Sequence, residues 1–427
     1  MSGVNIKLYG EDAFYNKRDY IETTTEELTK ENVLENVHFS FRNESKAWFV
    51  AKVIIAVIIP IIGIGWGIHA LIGNQLFQNA NAANKSDALN LRKRLAVQLK
   101  SDLRGEHNSN SWAVKRITVE VNGSKVDAYI VGKPKNLRDS HKWVLKSVGK
   151  DQIAEKAFDP GKDENGKDKN IEKESELGKM LESLGDANAL IFNYTGKASS
   201  EGNREKNTIV NSYKAMLALL EKEQGEGGLG AKQIIMYGHS TGAVVQAEAL
   251  DGHKLKKGIQ YVAVKSHAPA DLPTNKVQQF FNWNMSTVRS SLKLNCPEII
   301  LQTVDPKEEE LKAIKERSRR DLESITDEQQ IEHVLDTGTL ITEKPEHYLK
   351  YLRGLQTNYR EIQSADEIRD DGIISKSSTL AKVLLDANKR EIYAKKKFIG
   401  VYERHTEGVF DWKPIAAHIN GSLVQAA

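Results

Sequence analysis

The residues in this chain best placed for nucleophilic chemistry form the pentapeptide Gly238-His239-Ser240-Thr241-Gly242. Glycine-x-serine-x-glycine arises by chance on the order of once in ten chains of this length, so its flanks decide its meaning. Ile234-Ile235-Met236-Tyr237 reads as an apolar strand directly before it, and Ala243-Val244-Val245-Gln246-Ala247 as a helix start directly after it. A strand–turn–helix setting exposes a serine hydroxyl on a sharp, strained turn. Side chains at positions 238 and 242 would crowd such a turn, which explains both glycines. The helix beginning at Thr241 points its first amides at the serine, so the Thr241 N–H is a candidate donor to an oxyanion. A second donor is expected from the loop after Trp143-Val144-Leu145, which reads Ser147-Val148-Gly149-Lys150. Gly149 permits close approach there, and the backbone N–H of Lys150 is the candidate.

A serine hydroxyl needs a base, and the base needs a carboxylate to orient it. Behind an elbow of this kind the chain order is serine, acid, histidine, with each at the carboxyl end of a strand. Of the 11 histidines, His38, His69, His107 and His141 come too early, and His239 is expected to support the turn itself. His405 follows the strand-like Lys397 to Tyr402 and precedes a last helix near Trp412 to Ile419. His267, after the next strand, and His418, on the last helix, fit less well. Asp371 is the candidate acid: it stands in Asp370-Asp371-Gly372-Ile373-Ile374, a carboxylate, a small residue and two aliphatics ahead of a helix. Asp305, at the end of the strand Ile299 to Thr303, is its rival, with Asp366 and Asp370 behind. A charged insertion separates that strand from the Asp371 loop.

These residues must be positioned by alternating strands and helices. Ile117, Val119 and Val121 alternate, Asn122-Gly123 turns, and Val126, Ala128 and Ile130 alternate again, which predicts a hairpin. Strands are expected at 143–145, 189–192, 233–237, 259–264 and 299–303, and helices at 176–184, 208–220 and 241–250. Such alternation implies a mostly parallel sheet covered on both faces. Residues 306–363 are densely charged and read as a helical insertion, either a cap beside the site or a solvated excursion.

The N-terminal part is different in kind. A polar region, 1–46, does not fit a cleavable secretory signal, and Ser2 after Met1 does not fit myristoylation. It precedes an apolar region, 47–77, in which Val53 to Ile72 holds no Asp, Glu, Lys or Arg. As a helix that run would be about 30 Å long, the thickness of a bilayer's hydrocarbon core. Pro60 and Gly63-Ile64-Gly65-Trp66-Gly67 suit a kinked or re-entrant course. Association with a membrane is expected, with orientation left open because Lys and Arg flank both ends. Residues 78–110 read as a polar linker with a helix over Ala88 to Leu103.

Composition excludes several function classes. A net charge of +3 is too small to argue for nucleic acid. The single cysteine, Cys296, allows no intramolecular disulfide and no thiol-rich metal site. Gly225 to Gly230 fits a dinucleotide glycine pattern but precedes a strand instead of following one. Asp163 to Glu172 makes a poor calcium loop, with Gly161 at the first ligand position. Lys315 to Arg320 is a basic run interleaved with acids, a solvated helix face.

Taken in order, the hairpin, Trp143-Val144-Leu145, Asn193-Tyr194-Thr195-Gly196 with Ser199, the Ser240 elbow, the Asp371 loop and the His405 turn resemble the α/β-hydrolase superfamily over residues 111–427. The layout, with its upstream apolar segment, Asp366 to Ile374, and Ile399-Gly400 before His405, resembles the CHLPS-type proteins of chlamydiae. The resemblance implies an α/β-hydrolase fold: a mostly parallel central sheet with helices on both faces, a helical insertion, and an N-terminal apolar membrane segment. It also implies a serine hydrolase that needs no cofactor or metal. Ala243 stands where many esterases carry a further glycine, and Ser147-Val148-Gly149 replaces the commoner His-Gly sequence. The expected activity is cleavage of an acyl ester, in a small molecule or a lipid, by Ser240, Asp371 and His405. The alternative is a membrane-anchored binding or effector protein that keeps the fold without the chemistry. Oligomeric state is not legible.

Overall fold

Continuous apolar runs, rather than alternation, mark strands covered on both faces, and the centre of this molecule is built from them. β4 (Lys142–Ser147), β5 (Asn188–Phe192), β6 (Gln233–His239) and β7 (Gln260–Ser266) are buried along nearly their whole length. The computed structural model describes residues 37–41, 68, 71–72, 82–104, 112–150, 152–159, 175–272, 283–304, 359–387, 395–403, 405, 409 and 411–425. Within them lies one ten-stranded sheet. Its remaining strands are β1 (Val37–Phe41), β2 (Ala113–Val121), β3 (Ser124–Gly132), β8 (Glu298–Thr303), β9 (Arg360–Glu361) and β10 (Lys396–Val401).

The spatial order is β1-β2-β3-β5-β4-β6-β7-β8-β10-β9. From β5 through β10 all neighbours are parallel, while β3 and β9 pair antiparallel to their inner neighbours. The expected hairpin is present and longer than the alternation alone showed, with Ala113 opposite Gly132 and Val121 opposite Ser124. The chain leaves β4 to one side to make β5, then returns to the other side for β6. Such a reversal opens a crevice at the carboxyl ends of the strands, the usual place for a ligand in an open α/β sheet.

The α-helices with described bounds are α1 (Ala82–Arg104), α2 (Pro134–Asp139), α3 (Glu176–Leu184), α4 (Lys206–Glu221), α5 (Thr241–Leu250), α6 (Thr287–Lys293), α7 (Leu380–Asp386) and α8 (Trp412–Gln425). α3 starts at Ser175, whose side chain caps Gly178 N–H, and buries Leu177, Met180, Leu181 and Leu184 on one face. Gly225 to Gly230 leads from α4 into β6, as the sequence order required.

Two strands were not anticipated. β1 arises in the polar N-terminal region and lies parallel to β2, so the sheet recruits residues upstream of 111. β9 is two residues at the end of the charged insertion, paired to β10. The insertion itself, Asp305, the weak calcium loop and the basic run at 315–320 lie outside the described residues, or nearly so for the insertion. So does most of the apolar run 53–72, of which Ile68, Leu71 and Ile72 are described, in helical conformation. Among the described residues no helix is long and apolar enough to cross a membrane.

The parallel half of the sheet carries buried charge. Glu298 on β8 accepts hydrogen bonds from Lys396 Nζ at 2.6 Å and from Lys265 Nζ, all three side chains being fully or almost fully buried. Burial alone would raise the Glu298 carboxyl, but the two ammonium groups outweigh it and hold it at about 2, against 4.5 unperturbed. Because the folded value is depressed, the stabilisation is complete above pH 4.5 and is lost as pH falls towards 2. Glu298→Gln, which strands two buried cations, is expected to cost about 3–5 kcal/mol at neutral pH, read by urea denaturation. An unchanged midpoint would contradict this account.

Candidate active site

The turn between β6 and α5 forces Ser240 to φ 55°, ψ −126°, a conformation that a residue with a side chain rarely adopts. Its neighbours hold it there. Ser240 N–H donates to Ser266 O at 2.9 Å, and Ala243 N–H donates to Ser240 O at 3.0 Å. Ser147 pairs with Gly238 across β4 and β6, and its hydroxyl donates to Gly242 O at 2.7 Å. A Cβ on Gly238 would stand 2.6 Å from Ala243 Cα, and one on Gly242 would stand 2.5 Å from Ser147 O. Both glycines are therefore required by close backbone approach.

His405 follows β10 and is buried. Its Nε2 lies 2.7 Å from Ser240 Oγ and its Nδ1 lies 3.0 Å from Asp371 Oδ2. The other carboxylate oxygen of Asp371 accepts from the amides of Ile373 at 3.0 Å and Ile374 at 2.7 Å. Burial alone would raise the Asp371 carboxyl, but the hydrogen bond to His405 and the Ile374 and Ile373 amides together lower it below its ordinary value. Asp371 is thus ionised at neutral pH, and it can hold His405 with the proton on Nδ1 and an unprotonated Nε2 facing the serine.

The insertion does not prevent the acid loop from reaching the end of β8. Val304 pairs with Ile368, and Arg369 N–H donates to Thr303 O at 2.9 Å. The chain therefore leaves β8, runs through the insertion, and returns to the same strand end before presenting Asp371. His405 N–H then donates to Asp371 O at 3.2 Å. Asp366 and Asp370 are exposed, and the Asp370 carboxylate accepts from Lys376 N–H instead of meeting His405.

The loop after β4 lies against the serine. A Cβ on Gly149 would be 3.6 Å from Ser240 Cβ and 3.5 Å from the His239 ring. Lys150 follows directly, half-buried, and Thr241 is the first residue of α5, where an amide has no acceptor within the helix. Sequence reasoning set His267 aside, yet its ring belongs to the site. His239, His267 and His405 form a cluster with ring centroids 5.0 to 5.6 Å apart. His267 Nε2 faces Glu403 O at 3.2 Å and Thr303 Oγ1 at 3.1 Å, and its Nδ1 faces Ser266 Oγ at 2.9 Å. A carbonyl only accepts, so Nε2 carries the proton and Nδ1 accepts from the serine. Burial, followed by the nearness of His405, pushes His267 down to about 4, and burial chiefly pushes His239 well below its ordinary value. Both neighbours of His405 are therefore neutral. Position after a strand is the only sequence signal His267 offered. Among the described residues no three His, Cys, Asp or Glu side chains converge to hold a metal ion.

Gly242→Ala places a methyl against the Ser147 carbonyl and is expected to lose about 1–3 kcal/mol of stability, measured by thermal denaturation. A transition at the wild-type temperature would show that the turn can open without cost.

Comparisons with known proteins bear on fold and family. A comparison with curated proteins finds no match. Among solved structures, an esterase of Pyrococcus furiosus is similar at 18% identity over 49% of this chain and 78% of that one, with a TM-score of 0.33. An alpha-beta hydrolase from Vibrio vulnificus is similar at 12% identity over 60% of this chain and 82% of that one, with a TM-score of 0.36. The strand order and the Ser240 turn are what characterise the fold. The model of the family described as Chlamydia CHLPS protein (DUF818) matches residues 40–344, which include Ser240 and end before Asp371 and His405. With well over half of its length matched, the chain belongs to the Chlamydia CHLPS protein family, the family that the sequence resemblance named.

Proposed function

We propose that this protein is a serine hydrolase that cleaves an acyl ester. The observation that carries the reading is one chain of contacts: Ser240 Oγ to His405 Nε2 at 2.7 Å and His405 Nδ1 to Asp371 Oδ2 at 3.0 Å. Ser240 Oγ bonds to the acyl carbon while its proton passes to His405 Nε2. Asp371 keeps the imidazole oriented and stabilises the imidazolium. The carbonyl oxygen becomes an oxyanion held by the amides of Thr241 and Lys150. When the intermediate collapses, the bond from carbon to the leaving oxygen breaks and His405 gives its proton to that oxygen. Water then attacks the acyl-serine, His405 takes the water's proton, and the bond to Ser240 Oγ breaks with that proton returned to it.

The residues that do this are the chain's own, and the steps require no cofactor. The substrate class follows from the same reading: an acyl-containing small molecule or lipid. Association of the apolar run 53–72 with a bilayer would bring an acylated or lipid substrate to Ser240, and flotation of the full-length protein with phospholipid vesicles tests it. Loss of flotation on deleting that run is the expected result.

The reading itself is tested with a fluorophosphonate probe on the detergent-solubilised protein. Wild type is expected to label, and Ser240→Ala and His405→Ala are not. Asp371→Asn is expected to slow ester hydrolysis by about 10⁴-fold. A folded wild type that never labels would sink the reading and favour a binding role for the fold.

A further inference from the structure

The loop facing Ser240 has three consecutive carbonyls, and all three accept from two side chains of the loop after β5, the Gly149 carbonyl accepting also from Gln152 N–H at 3.3 Å. Tyr194 Oη donates to Val148 O at 2.9 Å. Lys197 Nζ donates to Gly149 O at 3.1 Å and to Lys150 O at 2.7 Å. Both side chains are buried, Tyr194 at 1% and Lys197 at 2% exposure, so neither tie is a chance surface contact. Burial also raises the Tyr194 phenol, which keeps it a hydrogen-bond donor. The donor loop is itself fixed. Gly196, at φ +70°, offers its carbonyl to Arg204 Nε at 3.0 Å and Nη2 at 2.6 Å, and its N–H to Glu201 O at 3.0 Å.

A trans peptide is planar, so its C=O and the following N–H point in opposite directions, and none of the described peptides is cis. Holding the Gly149 carbonyl therefore fixes the direction of the Lys150 N–H. The Gly149 N–H makes only a long contact to Gln152 Oε1 at 3.5 Å, and among the described residues nothing accepts from the Lys150 N–H. A cation on a carbonyl also polarises that peptide and strengthens the donor at its other end.

We propose that Lys197, assisted by Tyr194, is a positioning residue for the oxyanion site: it orients and polarises the Gly149–Lys150 peptide so that the Lys150 and Thr241 amides converge on the oxygen of an acyl group at Ser240. This rests on the serine hydrolase reading above. Lys197 touches no reacting atom. It acts by fixing where a donor points before substrate arrives, the condition under which such donors lower a barrier.

The test uses full-length wild type, Lys197→Met and Tyr194→Phe. It reads the fluorophosphonate labelling rate, kcat and KM on a p-nitrophenyl acyl ester, and the thermal transition. Lys197→Met is expected to label and turn over on the order of 10²-fold more slowly, the scale set by a misplaced or missing oxyanion donor, with KM unchanged. Tyr194→Phe, which frees the Val148 carbonyl and removes the phenol's contact with the Ser147 hydroxyl, is expected to lose roughly 10-fold in kcat. Labelling of both variants at the wild-type rate, or a change confined to KM, overturns the inference. Should Lys197→Met not fold, Tyr194→Phe decides alone on the same criteria. A folded wild type that does not label removes the Ser240 reading first, so that failure is distinguishable from this one.

Discussion

Around Ser240 the backbone is packed so closely that no side chain fits at either glycine of the turn. Gly238 lies against the start of α5 and Gly242 against the carbonyl of Ser147 at the end of β4. This contact fixes β4, β6 and α5 relative to one another, and the Ser147 hydroxyl on Gly242 O closes the joint. From that joint the loop leaving β4 passes against the serine at Gly149. Apolar burial of the central strands supplies the force that presses these backbones together, and the strained Ser240 conformation is held by that packing.

A second joint at the end of β8 plays the same part for the acid and the base. Thr303 O receives the Arg369 N–H on the way to Asp371, and Thr303 Oγ1 donates to Glu403 O at 2.8 Å on the way to His405. His267 braces the same Glu403 carbonyl from β7. One residue ahead of the insertion thus ties together two loops that both follow it in the chain. Loop closure becomes only slowly more costly as a loop lengthens, so the length of the insertion adds little to the cost of this return.

Three sets of charged side chains in and around the sheet are paired. Glu298 sits between Lys265 and Lys396, Lys146 meets Glu176, and Arg116 meets Asp127 beneath the hairpin. Each set joins different elements, so each resists slippage of one against another more than it adds net stability. Beside Ser240 the arrangement is different. There the carboxylate is Asp371, the neighbouring imidazoles of His239 and His267 are neutral, and His405 bridges Asp371 on Nδ1 and Ser240 on Nε2.

The serine, its glycines and its flanking strand and helix were legible because they are contiguous, and a local turn is specified by local chemistry. The order of acid and histidine behind them was legible from chain direction in a parallel sheet. β1 and β9 were not, because five or two residues carry too little periodicity to read as strands, and they form by pairing with an edge already made. The return of the acid loop to β8 was hidden by the insertion, since no sequence spacing records that Arg369 meets Thr303. Lys197 was invisible, and His267 could be ranked only by its position, for a related reason. A lysine in a polar loop and a histidine after a strand have no distinctive neighbours in sequence. The sequence by itself determined which side chains could do chemistry and in what order the chain presents them. Only the tertiary structure decided which of them meet, because hydrogen bonds between residues far apart in the chain depend on sheet register and close packing.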